Sequence, residues 1–144
     1  EDLVSEEVLN EILEAGEYAP SGMGQQGTLM VVTQNPELVA KLSKMNADVM
    51  GTESDPFYGA PTVVVVFADS NMPTCVENGS LVMGNLMNAA HALGVDSCWI
   101  HRAREVFASE EGKALKAEWG VPESYVGIGH CVLGYRSGEY PKAK

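Results

Sequence analysis

At 144 residues, 45% of them apolar and 20% charged, the chain has the size and balance of one globular domain with a buried core. A formal net charge of -11, twenty acids against nine Lys and Arg, argues against nucleic acid and anionic membrane as partners, because both need a basic face. Three cysteines without framework spacing point to reduced thiols and a cytoplasmic protein.

The amino end, EDLVSEEVLNE, has no signal-peptide character. Ser5 followed by Glu6 and Glu7 predicts a helix start, with a hydroxyl to cap the first turn and acids near the positive end of its dipole. Val8, Leu9, Ile12, Leu13 and Ala15 form one apolar stripe, and Pro20 ends the helix. The stretch YAPSGMGQQG then leads into a buried strand over 28–33. Asn35-Pro36-Glu37 starts a second helix, with a cap and a first-turn proline, running to about Met45. Residues 52–59 form a loop. PTVVVVFAD carries four consecutive valines, apolar on both faces, and reads as a central strand covered on both sides.

A loop over 70–78 precedes a helix over 79–93, apolar almost all the way round and so buried by the protein or by a partner. Its neighbourhood is no membrane span. The uncharged stretch over 78–95 carries three asparagines and a histidine and falls short of the roughly 20 apolar residues required. Gly84 and the Ala89-Ala90 pair would let another backbone come close. Gly94 leads into a third strand over 95–101, Ser109 begins a helix ending near Trp119-Gly120, and HCVLGY is the last strand. The alternating α-β order predicts a sandwich of α/β or α+β type with helices on both faces.

Several constellations invite chemistry. Cys98 and His101, with His130 and Cys131, have zinc-like residue types, yet neighbours on a strand point to opposite faces and cannot both reach one ion, so no metal is expected. A Cys-His nucleophile would need an orienting group and a positive environment for the thiolate, and the sequence shows neither. GIG at 127–129 precedes a strand, whereas a dinucleotide fingerprint follows one, so it reads as a turn. His91 reads as a hydrogen-bonded core or interface residue. PSGMG differs in its placement. It leaves a helix and enters a buried strand, so its N–H groups are expected to be unpaired and held on a rigid frame. Gly22 and Gly24 would let a flat ligand approach the main chain, with Ser21 and Gln25 as polar partners. As plain punctuation the same loop would only stop the helix. The first cation is Lys41, so an anion held earlier must rely on N–H groups and hydroxyls.

The blocks ILEAGEYAPSGMGQQ, GAPTVVVVFAD, GSLVMGNLMNAAHALGVDSCWIHRA and YVGIGHCVLGY follow one another as in the FMN-dependent nitroreductase family, which this chain resembles over nearly its whole length. The resemblance implies an α+β fold, a mixed central sheet with helices on both faces, in a homodimer with FMN at the interface. It implies that Pro20, Ser21, Gly22, Met23 and Gly24 contact the flavin of the partner subunit. Ile100, His101 and Arg102 would lie beside the ring, and the helix over 79–93 would form the dimer core. NAD(P)H would be the electron donor, with nitroaromatics, quinones or similar small molecules as acceptors. The cofactor carries that chemistry, so no catalytic acid or base is expected.

The chain departs from the family at Gly24, where asparagine is usual, and at Gly27-Thr28, where Pro-Trp is usual. An Arg-Ser-Xaa-Arg segment that grips the phosphate has no counterpart, and only Lys142 and Lys144 stand for the basic segment after the last strand. The expectation is one domain over 1–144 that lacks the family's terminal segments. A flavin-binding protein with little turnover, or an apo structural dimer, remain as alternatives.

Overall fold

Ser5 accepts the Val8 N–H at 3.3 Å and opens α1 (Glu6–Glu17), which turns Leu9, Ile12 and Gly16 inward. In this computed structural model, which describes residues 2–144, a short 3-10 turn (Gly22–Gly24) follows, then β1 (Thr28–Thr33) and α2 (Pro36–Met50). Asn35 caps α2 through the Glu37 and Leu38 N–H groups, and left-handed Gly51 closes it. The helix continues past Met45 because nothing before Gly51 breaks it. Then come β2 (Thr62–Asp69), α3 (Cys75–Ala92), β3 (Asp96–Ile100), α4 (Ala103–Ala108), α5 (Glu110–Glu118) and β4 (Tyr125–Gly134).

The strands lie in the order β1-β2-β4-β3, and every pairing is antiparallel. The α+β fold is as expected, but the sheet among the described residues is not mixed. Two features of the path explain this. After β1 the chain runs out along α2 and returns through 51–61 to the end it left, so Thr33 pairs with Val63. β2 and β3 do run in the same direction, yet β4 lies between them.

β2 is central and buried from Thr62 to Ala68. Its side chains alternate between two cores, as the strand period requires. Val64, Val66 and Ala68 pack with Ile12, Met83 and Leu86 beneath α1 and α3. Val63, Val65 and Phe67 pack with Leu42, Phe107 and Leu115 beneath α2, α4 and α5.

Three further readings differ from expectation. α3 starts at Cys75, so the end of the expected 70–78 loop is its first turn. GIG lies inside β4 rather than in a turn: Gly127 pairs with Phe67 and Gly129 with Val66, which leaves Ile128 as a bulge. Glycine is required there by close neighbours, since a Cβ on Gly127 would sit 2.5 Å from the Ala103 carbonyl oxygen. α4 was not foreseen, being six residues long and too short to show a period. On α3, Val82, Met83, Leu86 and Ala90 are buried by the chain itself, while Val76, Leu81 and Leu93 stay exposed by 49%, 46% and 37%. His91 is exposed rather than buried in the chain's own core. No helix among the described residues is long and apolar enough to cross a membrane.

Candidate cofactor site

Ser21 opens the 3-10 turn, and its hydroxyl oxygen accepts the Gln26 N–H at 2.8 Å. The Gly22 N–H donates to Asn78 Oδ1 at 2.9 Å, which ties the loop to α3. Gly24 and Gln25 donate to the carbonyls of Ser21 and Gly22. The expectation of free N–H groups is therefore corrected at these four positions, because a tight turn satisfies its own backbone. The two glycines serve different ends. A Cβ on Gly22 would lie 2.2 Å from Thr74 Oγ1, so glycine is what lets the loop touch the start of α3. Gly24 has φ +64 and open space around it, so there the need is conformational. Met23 is also left-handed, at φ 53, and 79% exposed, and Pro20 is exposed. Against this loop lie two buried polar atoms without a partner, Thr74 Oγ1 and Asn78 Nδ2.

The second segment leaves β3. Ile100 is buried in the core between the sheet and α2, α4 and α5, so its side chain cannot line a ligand site and only its main chain could. His101 is exposed. Arg102 is left-handed, at φ 74, just ahead of α4. Asn46, fully buried on α2, links the two. Its Oδ1 accepts Arg102 Nε at 2.9 Å and its Nδ2 donates to the His101 carbonyl at 2.7 Å. Behind it, His130 Nδ1 is 3.5 Å from Asn46 Nδ2. The His130 ring packs against Phe57 and Phe107, with centroids 5.2 and 5.8 Å away. Burial pushes the His130 imidazole down to about 4; a main-chain contact to Ile100 opposes this and the Arg102 charge adds to it. It is neutral at pH 7, so it does not compete with Arg102 for charge.

The two segments do not meet within one chain. Thr28 pairs with Ala68 at the far end of β2, and Ile100 pairs with His130 across from Val65, so both segments lie toward the same end of the sheet. They lie on opposite edges, three strand spacings apart, about 14 Å. The loop also packs on the α1 and α3 side, whereas Arg102 bonds to α2 on the other.

Other candidates separate cleanly. His130 and Cys131 belong to opposite cores, as alternation along β4 requires. Burial pushes the Cys131 thiol up to about 12 and the Cys75 thiol upward, the reverse of what a nucleophile needs. A cavity of about 1000 Å³ between α2 and the 51–61 loop contains none of the expected residues.

Asn46, Asn78 and Thr74 escaped the reading of the sequence, and His130 was weighed there only as a metal ligand. A signal existed for the two asparagines. Leu38, Leu42 and Asn46 are spaced by four, as are Asn78, Val82, Leu86 and Ala90. An asparagine in line with a buried apolar stripe must find partners for its amide.

The chain matches the sequence pattern of the Nitroreductase family over residues 1–57 and 50–135. It belongs to the nitroreductase family. A relative in Archaeoglobus fulgidus, named as a candidate NADH dehydrogenase/NAD(P)H nitroreductase, is 30% identical over 142 residues, covering 94% of this chain and 76% of the relative. The nitroreductase of Bacteroides fragilis solved with bound FMN superposes with a TM-score of 0.89 at 27% identity, covering 99% of this chain and 84% of that one. The nitroreductase of Desulfitobacterium hafniense, also solved with bound FMN, gives a TM-score of 0.86 at 26% identity over the same shares of the two chains.

Proposed function

We propose that this nitroreductase-family chain is an FMN-dependent oxidoreductase that works as a homodimer, with NAD(P)H as donor and a nitroaromatic, quinone or similar small molecule as acceptor. The observation that carries the reading is a fold shared over 99% of this chain with nitroreductases solved with bound FMN.

When bound, FMN would supply the hydride chemistry that couples oxidation of NAD(P)H to two-electron reduction of the acceptor, with protons from solvent. The chain's own residues hold and shield. Ser21 keeps its hydroxyl hydrogen to donate, and the open left-handed backbone at Met23 and Gly24 lets a flat ring approach. Thr74 Oγ1 and Asn78 Nδ2 lack partners, which fits a loop completed by a polar ligand. Arg102 fits an oxyanion, because only its Nε is spent and its terminal nitrogens have no partner among the described residues.

A dimer supports the same reading from two sides. The loop and Arg102 sit on opposite edges of the sheet, so two copies side by side could complete one site from the loop of one and the strand end of the other. Val76 and Leu81 on α3, with Tyr18 and Met23 at 78% and 79% exposure, offer apolar surface for the contact. Light scattering at micromolar concentration is expected to give twice the chain mass, and a monomer would remove the interface from the proposal.

The activity test is direct. The purified protein titrated with FMN is expected to quench flavin fluorescence and turn yellow, and NADH or NADPH is expected to bleach it until a quinone is added. Binding without bleaching would favour a flavin-binding protein with little turnover. No binding would overturn the reading.

A further inference from the structure

Arg102 occupies a backbone conformation that residues with a side chain rarely adopt, at φ 74 and ψ 8. Such a position persists only where its surroundings hold it. Here α4 holds one side, its Val106 N–H donating to the Arg102 carbonyl at 3.0 Å, and Asn46 holds the other. The Asn46 amide accepts from Arg102 Nε and donates to the carbonyl of His101, one position earlier, so it grips both the side chain and the main chain of the turn. Asn46 is fully buried and cannot swing out to solvent, and behind it stands the uncharged His130 ring. The guanidinium is thus held by one nitrogen, with the four N–H donors of its terminal nitrogens left over among the described residues. That is the arrangement a planar fork needs to receive an oxyanion in bidentate fashion.

We infer that Asn46 is a positioning residue which presents Arg102 as a fixed fork for an oxyanion, phosphate or carboxylate, beyond the end of β3. The inference rests on the flavin reading above, in which the oxyanion is either the phosphate of FMN or a carboxylate on the acceptor. A purely structural Asn46 would lower stability when replaced and leave ligand discrimination alone. A positioning Asn46 acts through Arg102, so the two substitutions must share their effect.

The experiment is a double-mutant cycle on the full chain: wild type, Asn46→Ala, Arg102→Ala and the double variant, each titrated with FMN and with riboflavin, which lacks the phosphate. In parallel, KM is measured for 4-nitrobenzoate and for nitrobenzene on flavin-loaded protein. If the oxyanion is the phosphate, Arg102→Ala weakens FMN by about 10-fold or more and spares riboflavin; if it is the acceptor's carboxylate, the same loss falls on 4-nitrobenzoate and spares nitrobenzene. In either arm Asn46→Ala is expected to show most of that loss, and the double variant no more than Arg102→Ala. Arg102→Lys, which keeps the charge but has no Nε for Asn46, is expected to behave like Arg102→Ala, and it carries the test if Asn46→Ala does not fold. Additive losses, equal losses for the members of each pair, or wild-type affinity in Arg102→Lys would overturn the inference while leaving flavin binding in place. Failure of the wild type to bind either flavin would overturn the functional reading and this inference with it.

Discussion

Gly22→Val is expected to weaken FMN binding by about 100-fold or more while the core stays folded. The cause is steric and local. A Cβ at this position lies 2.2 Å from Thr74 Oγ1 and 3.2 Å from Thr74 Cβ, and valine adds two methyl groups beyond it. The Thr74 backbone is held, because it leads directly into α3, whose first turns bury Cys75, Asn78 and Gly79. The loop must move instead. Moving it breaks the Gly22 N–H bond to Asn78 Oδ1 and leaves a buried amide with neither end satisfied. That costs about 1–3 kcal/mol, a fall in melting temperature of roughly 10 °C or less for a domain this size. Gly24→Val makes the contrast, since its Cβ would meet nothing within 4 Å and its penalty comes only from φ +64, about 1–2 kcal/mol. Fluorescence titration with FMN alongside thermal melts of both variants separates the two. Wild-type affinity in Gly22→Val would reduce the loop to a turn.

The two cores were legible because β2 announces them. Four valines in a row between polar ends can only be a strand buried on both faces, and the stripe of α1 and the cap of α2 follow equally local rules. The start of α3 was missed for lack of a strong local cap, Thr74 making no side-chain capping bond, whereas the end of α2 was placed short although Gly51 marks it. The glycines of β4 were misread for a deeper reason. A glycine that answers a turn and a glycine that lets Ala103 or Trp99 cross a strand look alike in sequence, and only the neighbour tells them apart. The site divides in the same way. Gly24 and the loop around it stand out by composition, whereas the fixing of Arg102 depends on Asn46, fifty-six positions earlier, and no local pattern links the two. That the loop and Arg102 lie at two edges of the sheet could not be read from the residues themselves, since it follows from β4 pairing between β2 and β3 although it comes last in the chain; only the family resemblance set the loop against a partner's flavin.

Stability is expected to fall by about 3 kcal/mol between pH 6.5 and pH 4, with most of that loss due to His130. The imidazole has an ordinary value of 6.5 and is pushed down to about 4 in the folded chain, above all by burial among Phe57, Phe107 and the sheet. Between those limits the unfolded chain binds a proton that the native chain refuses, so acid favours unfolding. Above pH 6.5 both states hold the ring neutral and the effect vanishes; below pH 4 the loss is complete. The other two histidines, His91 and His101, are exposed. Asp55 and Asp96 are held below their ordinary 3.8, so the stability they lend is lost only below the His130 window. His130→Phe keeps an aromatic ring between Phe57 and Phe107, and Asn46 Nδ2 retains the His101 carbonyl as its acceptor. Urea unfolding at half-unit steps from pH 7.5 to 4 is expected to show a slope in the wild type and a nearly flat line in His130→Phe. Parallel slopes in the two proteins would mean that acid acts elsewhere, and that the ring behind Asn46 is free to take a proton where it lies.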